Sequence, residues 1–163
     1  MKIINLTQHR STPEQGAEDL TLKGECLATS FGLRPDQFGY YPTLSDCLTF
    51  TQDDLNPKNG GTAQGVMRRR ACLLASIACR MEATHAMIGG AGFFLPQLES
   101  ALKERGVTPL HAFSERVSVE TIGESGAVTK TNVFKHVGFI ESGANYWGDE
   151  PSWVAPENDQ DEN

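Results

Sequence analysis

The chain carries little positive charge for its length. Its 163 residues hold 14 Lys and Arg against 21 Asp and Glu, which gives a formal net charge of −7. This balance argues against broad binding to the backbones of long nucleic acids, but it leaves room for a short ligand in a locally basic pocket. Part of the acidic excess lies in residues 157–163, and the composition predicts a disordered, solubilising tail over residues 151–163.

The sequence also lacks the patterns of several function classes. Its four cysteines form no CxxC pair, and its four histidines are too scattered to predict a metal site. No GxxxxGK[ST], HExxH or GxSxG motif occurs. No secretory signal is visible, and no apolar run approaches the ~20 residues of a membrane span. We therefore expect no metal, no cofactor and no membrane contact, in a reduced, cytoplasmic setting.

Apolar patterning and helix-start signals predict alternating strands and helices. Strands are expected at 1–6, 84–88 and 107–113, helices from Pro13, at 62–82 and at 93–105, and a β-hairpin of alternating Val and Thr at 117–133. Residues 32–61 give little pattern, apart from an exposed loop expected at 56–61. The order predicts one α/β domain over residues 1–150, with a mostly parallel sheet and a C-terminal β-hairpin extension. Right-handed crossovers would place helices on both faces, which makes three layers.

The stretch Ala86–Pro96 joins an apolar run to a cluster of small residues, Gly89-Gly90-Ala91-Gly92, and then to a helix start. Such a junction commonly binds anions, because the first N–H groups of a helix have no partner inside it and the helix dipole is positive there. The cluster is not GxGxxG, and the acidic residue that would hold a ribose about 20 positions later is missing. Close packing of the helix on the strand is the alternative explanation of the glycines.

Polar residues follow three of the expected strands. Asn5–His9 follow the first strand, Gly89–Gly92 the second and Ser114–Arg116 the third. Ligands of open parallel sheets bind outside the carboxyl ends of the strands, so these segments are expected to meet at one edge. The edge then carries an imidazole, free backbone N–H groups, a hydroxyl and a guanidinium, which can hold and turn over a phosphodiester or an acyl group. The residues expected to bind the ligand are Asn5, Thr7, Gln8, Gly89, Gly90, Ala91, Gly92, Phe93, Lys135 and His136.

Several of these candidates have a structural alternative. His9 can be a loop histidine bonded to a backbone carbonyl, and Arg116 can simply pair with Glu115 or Glu120. Lys135-His136 can be polar residues of a sheet edge.

Two further groups favour a structural interpretation. Phe93-Phe94 are more typical of core aromatics than of residues that stack on a base. Arg68-Arg69-Arg70 fan over the polar side of the long helix, which favours a solvated face, with one arginine reaching a phosphate as the alternative.

Two segments carry a family resemblance. The opening strand with Thr7-Gln8-His9 and Pro13-Glu14-Gln15, and Met87–Gly90 leading into a Leu/Glu helix, resemble small CRISPR-associated ring nucleases and related CARF-like, Rossmann-like proteins. Arg105-Gly106 and Leu110–Ser114 add to the likeness. It covers residues 1–16 and 84–116, about a third of the chain.

The resemblance implies a Rossmann-like fold and a homodimer with a two-fold pocket for cyclic oligoadenylate. It also implies metal-independent cleavage, in which a ribose 2′-hydroxyl attacks the adjacent phosphate. On this basis His9 is the general acid or base, Gly89–Gly92 hold phosphate, and Ser114 and Arg116 stabilise charge in the transition state. Such a reaction needs no nucleophile from the protein, and the sequence shows no activated one.

Two other hypotheses stay open beside cleavage of a cyclic oligonucleotide in defence signalling. The first is a non-catalytic module that binds or sequesters a small nucleotide in the same pocket. The second is an accessory protein of a mobile element that acts through a protein partner, with Trp147, Trp153 and the acidic tail as its surface.

Overall fold

The computed structural model describes residues 1–142 and 153–154. The strands are β1 (Ile3–Leu6), β2 (Ala17–Asp19), β3 (His85–Ile88), β4 (Thr108–Ile122), β5 (Val128–Glu141) and β6 (Trp153–Val154). The α-helices are α1 (Leu27–Ser30), α2 (Pro35–Phe38), α3 (Leu44–Leu48), α4 (Gln52–Leu55), α5 (Ala63–Arg80) and α6 (Leu95–Lys103), and Pro13–Gln15 form a 3-10 turn. In this part of the chain no helix is long and apolar enough to cross a membrane. Trp147 lies outside the described residues, and so does the acidic tail expected over residues 151–163, apart from Trp153–Val154, which form β6.

The strands form one sheet in the order β2-β1-β3-β4-β5-β6. The first four strands are parallel to one another, and β5 and β6 are antiparallel to their neighbours. The expected α/β class, with a mostly parallel sheet and an antiparallel C-terminal extension, is therefore confirmed.

The two faces of the sheet are covered differently. Side chains alternate between the faces of a strand, so Ile4 and Ile88 point to one side while Ile3 and Met87 point to the other. Ile4 and Ile88 belong to a large buried cluster that includes residues of α1, α3, α5 and α6. The smaller cluster with Ile3 and Met87 consists of strand residues only. Among the described elements the long helices thus lie on one face, and three layers are not confirmed.

The helix expected from Pro13 is a single 3-10 turn. The Thr12 N–H donates to Gln15 Oε1 at 2.9 Å, as in the predicted capping box. Gly16 then adopts a left-handed φ of 59°, which ends the turn. The chain passes at once into β2, which pairs with β1 through Ile3 and Ala17. Since β2 has only three residues and two of them are acidic, its sequence gives no strand pattern.

Residues 32–61 contain the short helices α2, α3 and α4. Thr43 and Thr51 cap the last two, and each accepts a hydrogen bond from the backbone N–H of the Asp three residues later. The loop after α4, residues 56–61, is exposed apart from the half-buried Pro57, as predicted.

Helix α5 is the predicted long helix, with Thr62 as its N-cap. The prediction for its arginines needs a correction, because Arg70 is only 3% exposed. Its guanidinium pairs with Asp54 (Nη2–Oδ1 2.7 Å), donates to the Thr49 carbonyl at 2.6 Å, and lies over the rings of Tyr41 and Phe50 at 4.8 and 4.4 Å. Arg70 therefore joins α5 to the α3–α4 segment, and neither of the predicted roles for the triplet describes it.

The third strand does not end at Phe113. Strand β4 continues to Ile122 and pairs with β5 from Leu110 to its end, with a shift of register between Phe113 and Ser114. Ser114–Arg116 consequently lie inside a strand and not at its carboxyl end. The bulge turns the strand out of the body of the sheet into a two-stranded hairpin.

Candidate functional site

A cleft of about 630 Å³ opens at the carboxyl ends of β1 and β3. Strand β2 pairs with one edge of β1, and β3 pairs with the opposite edge, so the strand order reverses at β1. The cleft lies at this reversal. Open α/β sheets bind their ligands at this position. The lining residues are Thr7, Gln8, His9, Arg10, Gln15, Leu48, Thr49, Phe50, Met87, Gly89, Gly90, Ala91, Phe93 and Ala112. The predicted meeting of the first two strand ends is thus found in the structure.

The turn after β1 is held by Asn5, which is 2% exposed. Its Nδ2 donates to the His9 carbonyl at 2.6 Å and to Asp19 Oδ1 at 2.7 Å, while its Oδ1 accepts from the Thr7 N–H at 2.9 Å. Asn5 therefore shapes the turn from beneath. It lines a second cleft, of about 600 Å³, on the other side of the same turn.

Asp19 completes this hydrogen-bond network. The Asn5 amide and the Ser11 N–H, which donates to Oδ1 at 3.0 Å, hold the pKa of the Asp19 carboxyl below its ordinary value of 3.8. A carboxylate that stays ionised at neutral pH thus anchors Asn5, and through it the position of His9.

Arg10 gives the cleft its positive charge, and His9 adds an imidazole beside it. Both side chains are exposed, and no Asp or Glu is among the described residues that line the cleft. The neighbouring Gln8 donates from Nε2 to Thr49 Oγ1 at 3.1 Å, which joins the turn to the chain after α3. The cleft is therefore locally basic in a chain of net charge −7. Arg10 was missed in the sequence, although its place directly after His9 was a usable signal.

The loop after β3 approaches the β1 turn closely. A Cβ atom on Gly89 would lie 3.3 Å from Thr7 Cγ2, and Gly90 adopts a φ of +133°. The first hydrogen bond of the following turn runs from the Phe94 N–H to the Ala91 carbonyl, at 2.9 Å. Within the described residues, the N–H groups of 90–93 donate to no acceptor. The loop therefore offers free donors at the start of a helix, and Gly92 belongs to it without lining the cleft.

The two phenylalanines after the loop separate into different environments. Phe94 is fully buried in the core, as predicted, whereas Phe93 is 53% exposed and lines the cleft. The Phe93 ring stands edge-on to Phe50, with centroids 5.3 Å apart. Together the two rings form an aromatic wall. Phe93 was among the residues expected to bind the ligand, whereas no pattern in the sequence indicated Phe50.

Four other predicted site residues lie on the hairpin and not in the cleft lining. Ser114 is opposite His136 in the ladder, and the Arg116 guanidinium lies 5.5 Å from the centre of the Phe134 ring. Lys135 is exposed. The expected meeting of Ser114–Arg116 with His9 is therefore not found in the structure, because β4 extends past the edge where β1 and β3 end.

His136 packs at the base of the hairpin. Its ring lies 4.7 Å from the Phe139 ring, and neither ring nitrogen has a hydrogen-bond partner within the described residues. Burial lowers the pKa of His136, against a smaller opposite effect of Glu14, so the ring is neutral at neutral pH.

No metal centre is found in the part of the chain that the structure describes. There, no three His, Cys, Asp or Glu side chains cluster in a way that could hold an ion.

Comparison with known proteins gives one family. The model of the uncharacterized protein MJ1673 family matches residues 57–140, which is just over half of the chain. The matched stretch includes α5, β3, the glycine loop, α6 and most of the β4–β5 hairpin. It begins at residue 57 and therefore does not include β1 or the turn that follows it. No curated protein and no solved structure matches the chain.

Proposed function

Because the chain belongs to the uncharacterized protein MJ1673 family, whose description states no activity, we propose its function from the cleft itself. The cleft binds a cyclic oligonucleotide of the cyclic oligoadenylate type and cleaves it without a metal, as a ring nuclease in CRISPR-linked defence signalling. One observation carries the proposal: in a chain of net charge −7, the cleft has no carboxylate among the described residues that line it, and it combines Arg10 and His9 with loop N–H groups that have no acceptor in this part of the chain.

The binding part of the proposal rests on two walls. The free N–H groups of Gly90, Ala91 and Phe93, together with the Arg10 guanidinium, suit the phosphate oxygens of the ligand. The exposed ring of Phe93, braced by Phe50, suits the face of a base, and base–aromatic stacking is typically worth about 1–3 kcal/mol. A phosphate site beside an aromatic wall fits a nucleotide better than it fits an inorganic anion.

The size of the cleft supports a dimer. Its volume of about 630 Å³ lies in the range of pockets that hold one drug-sized molecule. A ring of several nucleotides needs more room than that, which two clefts around a two-fold axis provide. The proposal therefore includes the homodimer that the family resemblance implies.

The chemistry is an internal displacement at phosphorus. A ribose 2′-oxygen forms a bond to the adjacent phosphorus, the bond from phosphorus to the 5′-oxygen breaks, and the products are a 2′,3′-cyclic phosphate and a 5′-hydroxyl. The His9 imidazole either takes the proton from the 2′-hydroxyl or delivers one to the departing 5′-oxygen, and solvent water carries out the other of these two proton transfers. The free loop N–H groups lie where they can hold the non-bridging oxygens as charge builds on them. Arg10 supplies the guanidinium, and the proposal gives no chemical role to Ser114 or Arg116.

The proposal also includes a Rossmann-like fold with three layers. A Rossmann-like site is supported by the place of the cleft, between β1 and β3 at the reversal of strand order. A third layer would pack on the strand cluster that contains Ile3 and Met87. The connection from β1 to β2 contains a 3-10 turn instead of a crossover helix, and this turn contacts β5.

The test is incubation of the protein with a series of cyclic oligoadenylates in EDTA, followed by chromatographic separation. Linear fragments are expected from the wild type. His9→Ala is expected to lower turnover about 10²–10⁴-fold, as loss of a general acid or base does, while the ligand still binds. His85→Ala is the matched control, since His85 starts β3 at the opposite end from the cleft. Failure of every ring to bind would overturn the proposal, and full turnover by His9→Ala would remove His9 from the chemistry.

A non-catalytic nucleotide-binding module is the second candidate. It is favoured by one observation: the His9 ring has no hydrogen-bond partner among the described residues, whereas a general base is usually oriented by a third group. Recovery of an intact ring from a tight complex, with no fragments from any substrate, would select this candidate over the enzyme.

A further inference from the structure

The turn after β1, residues 7–10, separates two clefts and lines both of them. The second cleft, of about 600 Å³, lies at the carboxyl ends of β1 and β2, and its volume is in the range of pockets that hold one small molecule. Besides the turn, its lining residues are Asn5, Asp19, Leu20, Thr21, Leu22, Thr43, Leu44 and Ser45. The loop N–H groups and the aromatic wall belong to the first cleft, so the second cleft has a chemistry of its own.

A carboxylate distinguishes the second cleft from the first. Asp19 is the last residue of β2, and it is exposed. The hydrogen bonds from Asn5 and from the Ser11 N–H both end on Oδ1, and Oδ2 receives neither of them. The carboxylate is thus fixed in position and keeps an oxygen for a donor from a ligand.

The formal charges that line the second cleft cancel. Among the described residues of its lining, Asp19 is the one acid and Arg10 the one permanently charged base. The carboxylate repels a phosphate, and the guanidinium repels a cation. A neutral group with O–H donors suits this balance better than either ion.

Three leucines give the same cleft an apolar surface. Leu20, Leu22 and Leu44 line it, are half-buried and pack against the large core cluster. A flat, uncharged ring that covers them removes apolar surface from water, which is favourable. The exposed residues Thr21 and Ser45 add hydroxyl groups to the lining.

We propose that the second cleft binds a nucleoside, with the Asp19 carboxylate accepting a hydrogen bond from a ribose hydroxyl and the base covering the leucines. A nucleoside is neutral, carries hydroxyl donors and has a flat face, so it matches the three properties of the cleft. The inference rests on the proposed function, because the shared turn makes this the site of the nucleoside next to the phosphate in the first cleft. Each ribose of a ring with 3′–5′ links keeps its 2′-hydroxyl, so the cyclic ligand also offers the donor.

This placement gives Asp19 and His9 different tasks. The turn at residues 7–10 lies between the bound nucleoside and the bound phosphate, and His9 lines both clefts. The imidazole is therefore placed near the bond that joins these two parts of the ligand. Asp19 exchanges no proton with the ligand, and it is a positioning residue that fixes the sugar.

The experiment compares adenosine with 2′,3′-dideoxyadenosine in nuclear magnetic resonance titrations of the full chain at neutral pH. The wild type is expected to bind adenosine about tenfold more tightly, as a hydrogen bond to a charged group predicts. Asp19→Asn keeps a side-chain oxygen for the bonds from Asn5 and Ser11, and it should lose most of this preference. Glu18→Gln is the matched control, because it removes the neighbouring carboxylate of β2, which lines neither cleft, and it should keep the preference. A general loss of structure weakens both nucleosides alike, so the ratio reports the sugar hydroxyls.

A second variant tests the cleft without changing Asp19. Ser45→Trp fills the second cleft from α3, and it should weaken the binding of adenosine at least tenfold. Unchanged binding by Ser45→Trp would overturn the inference even if Asp19→Asn did not fold.

The inference and the proposed function fail in different ways. A wild type that binds neither nucleoside, or an equal preference in wild type and Asp19→Asn, overturns the nucleoside site, whether or not cyclic oligoadenylates are cleaved. If adenosine binds with the expected preference while no cyclic oligoadenylate binds, the proposed function fails and the nucleoside site stands.

Discussion

Replacement of Arg70 by Met should destabilise the protein strongly, although the residue belongs to a run of three arginines. Arg70 is 3% exposed, and its guanidinium serves the Asp54 carboxylate and the carbonyls of Cys47 and Thr49. Methionine fills much of the volume but leaves these acceptors without a donor. Removing one partner of a buried ion pair typically costs about 3–5 kcal/mol. Because the Asp54 side chain is 26% exposed, we expect a loss in the free energy of unfolding near the lower end of this range.

Arg69→Met is the matched control, because Arg69 is exposed on the same helix. A surface substitution of this kind should change the free energy of unfolding by less than about 0.5 kcal/mol. Urea denaturation followed by circular dichroism measures both variants. Equal stability of the Arg70 and Arg69 variants would refute the assignment of Arg70 as a buried anchor.

The deficit of Arg70→Met should also depend on pH. Burial raises the pKa of Asp54, but the Thr51 N–H and hydroxyl, together with Arg70, hold it below 3.8 overall. A depressed pKa contributes stability that is present above the unfolded value and is lost as the pH falls through the folded value. Since protonated Asp54 no longer needs a cation, the difference between wild type and Arg70→Met should shrink in acid. A difference that stays constant from neutral pH into acid would contradict the pairing.

Two further predictions concern the cleft. Gly89→Ala places a Cβ 3.3 Å from Thr7 Cγ2, so it should weaken ligand binding and lower the free energy of unfolding by about 1 kcal/mol. The control is Gly92→Ala, whose Cβ meets nothing within 4 Å, and it should change neither quantity. Calorimetric titration measures the binding, and thermal unfolding measures the stability. Because the Asn5 amide holds the pKa of Asp19 below 3.8, the wild type should lose stability as the pH falls through that lowered pKa, and Asp19→Asn should lose less over the same range in acid unfolding curves. An equal pH dependence of the two proteins would contradict the role given to Asp19.

The elements that the sequence predicted well carry their own local signals. Helix α5 has apolar residues at helical spacing, and β3 with its glycine loop has an apolar run followed by small residues. The meeting of His9 with the glycine loop followed from a rule of parallel sheets, since β1 and β3 are neighbours. These parts of the candidate site needed no knowledge of distant contacts.

The parts that were missed depend on contacts between distant residues. The three residues of β2 form a strand only because β1 lies beside them. Strand β4 appeared to stop because a bulge after Phe113 interrupts its alternation, and its continuation depends on the pairing with β5. The burial of Arg70 depends on the α3–α4 segment, where its partners Asp54 and Thr49 lie well outside the α5 helix in sequence. Helical spacing was a usable local signal here, because it places Arg70, unlike Arg69, on the apolar stripe of α5 with Val66 and Leu73.

The anchoring of the α3–α4 segment by Arg70 has a consequence for the thermodynamics of binding. The chain directly after α3 forms one wall of the cleft, and the guanidinium of α5 fixes that wall through backbone carbonyls as well as through the ring of Phe50. A ligand that enters such a cleft finds the wall in place, so little conformational entropy is lost in ordering it. Opening of this wall is therefore tied to opening of the core around α5, and hydrogen exchange of its amides should be as slow as that of the helix.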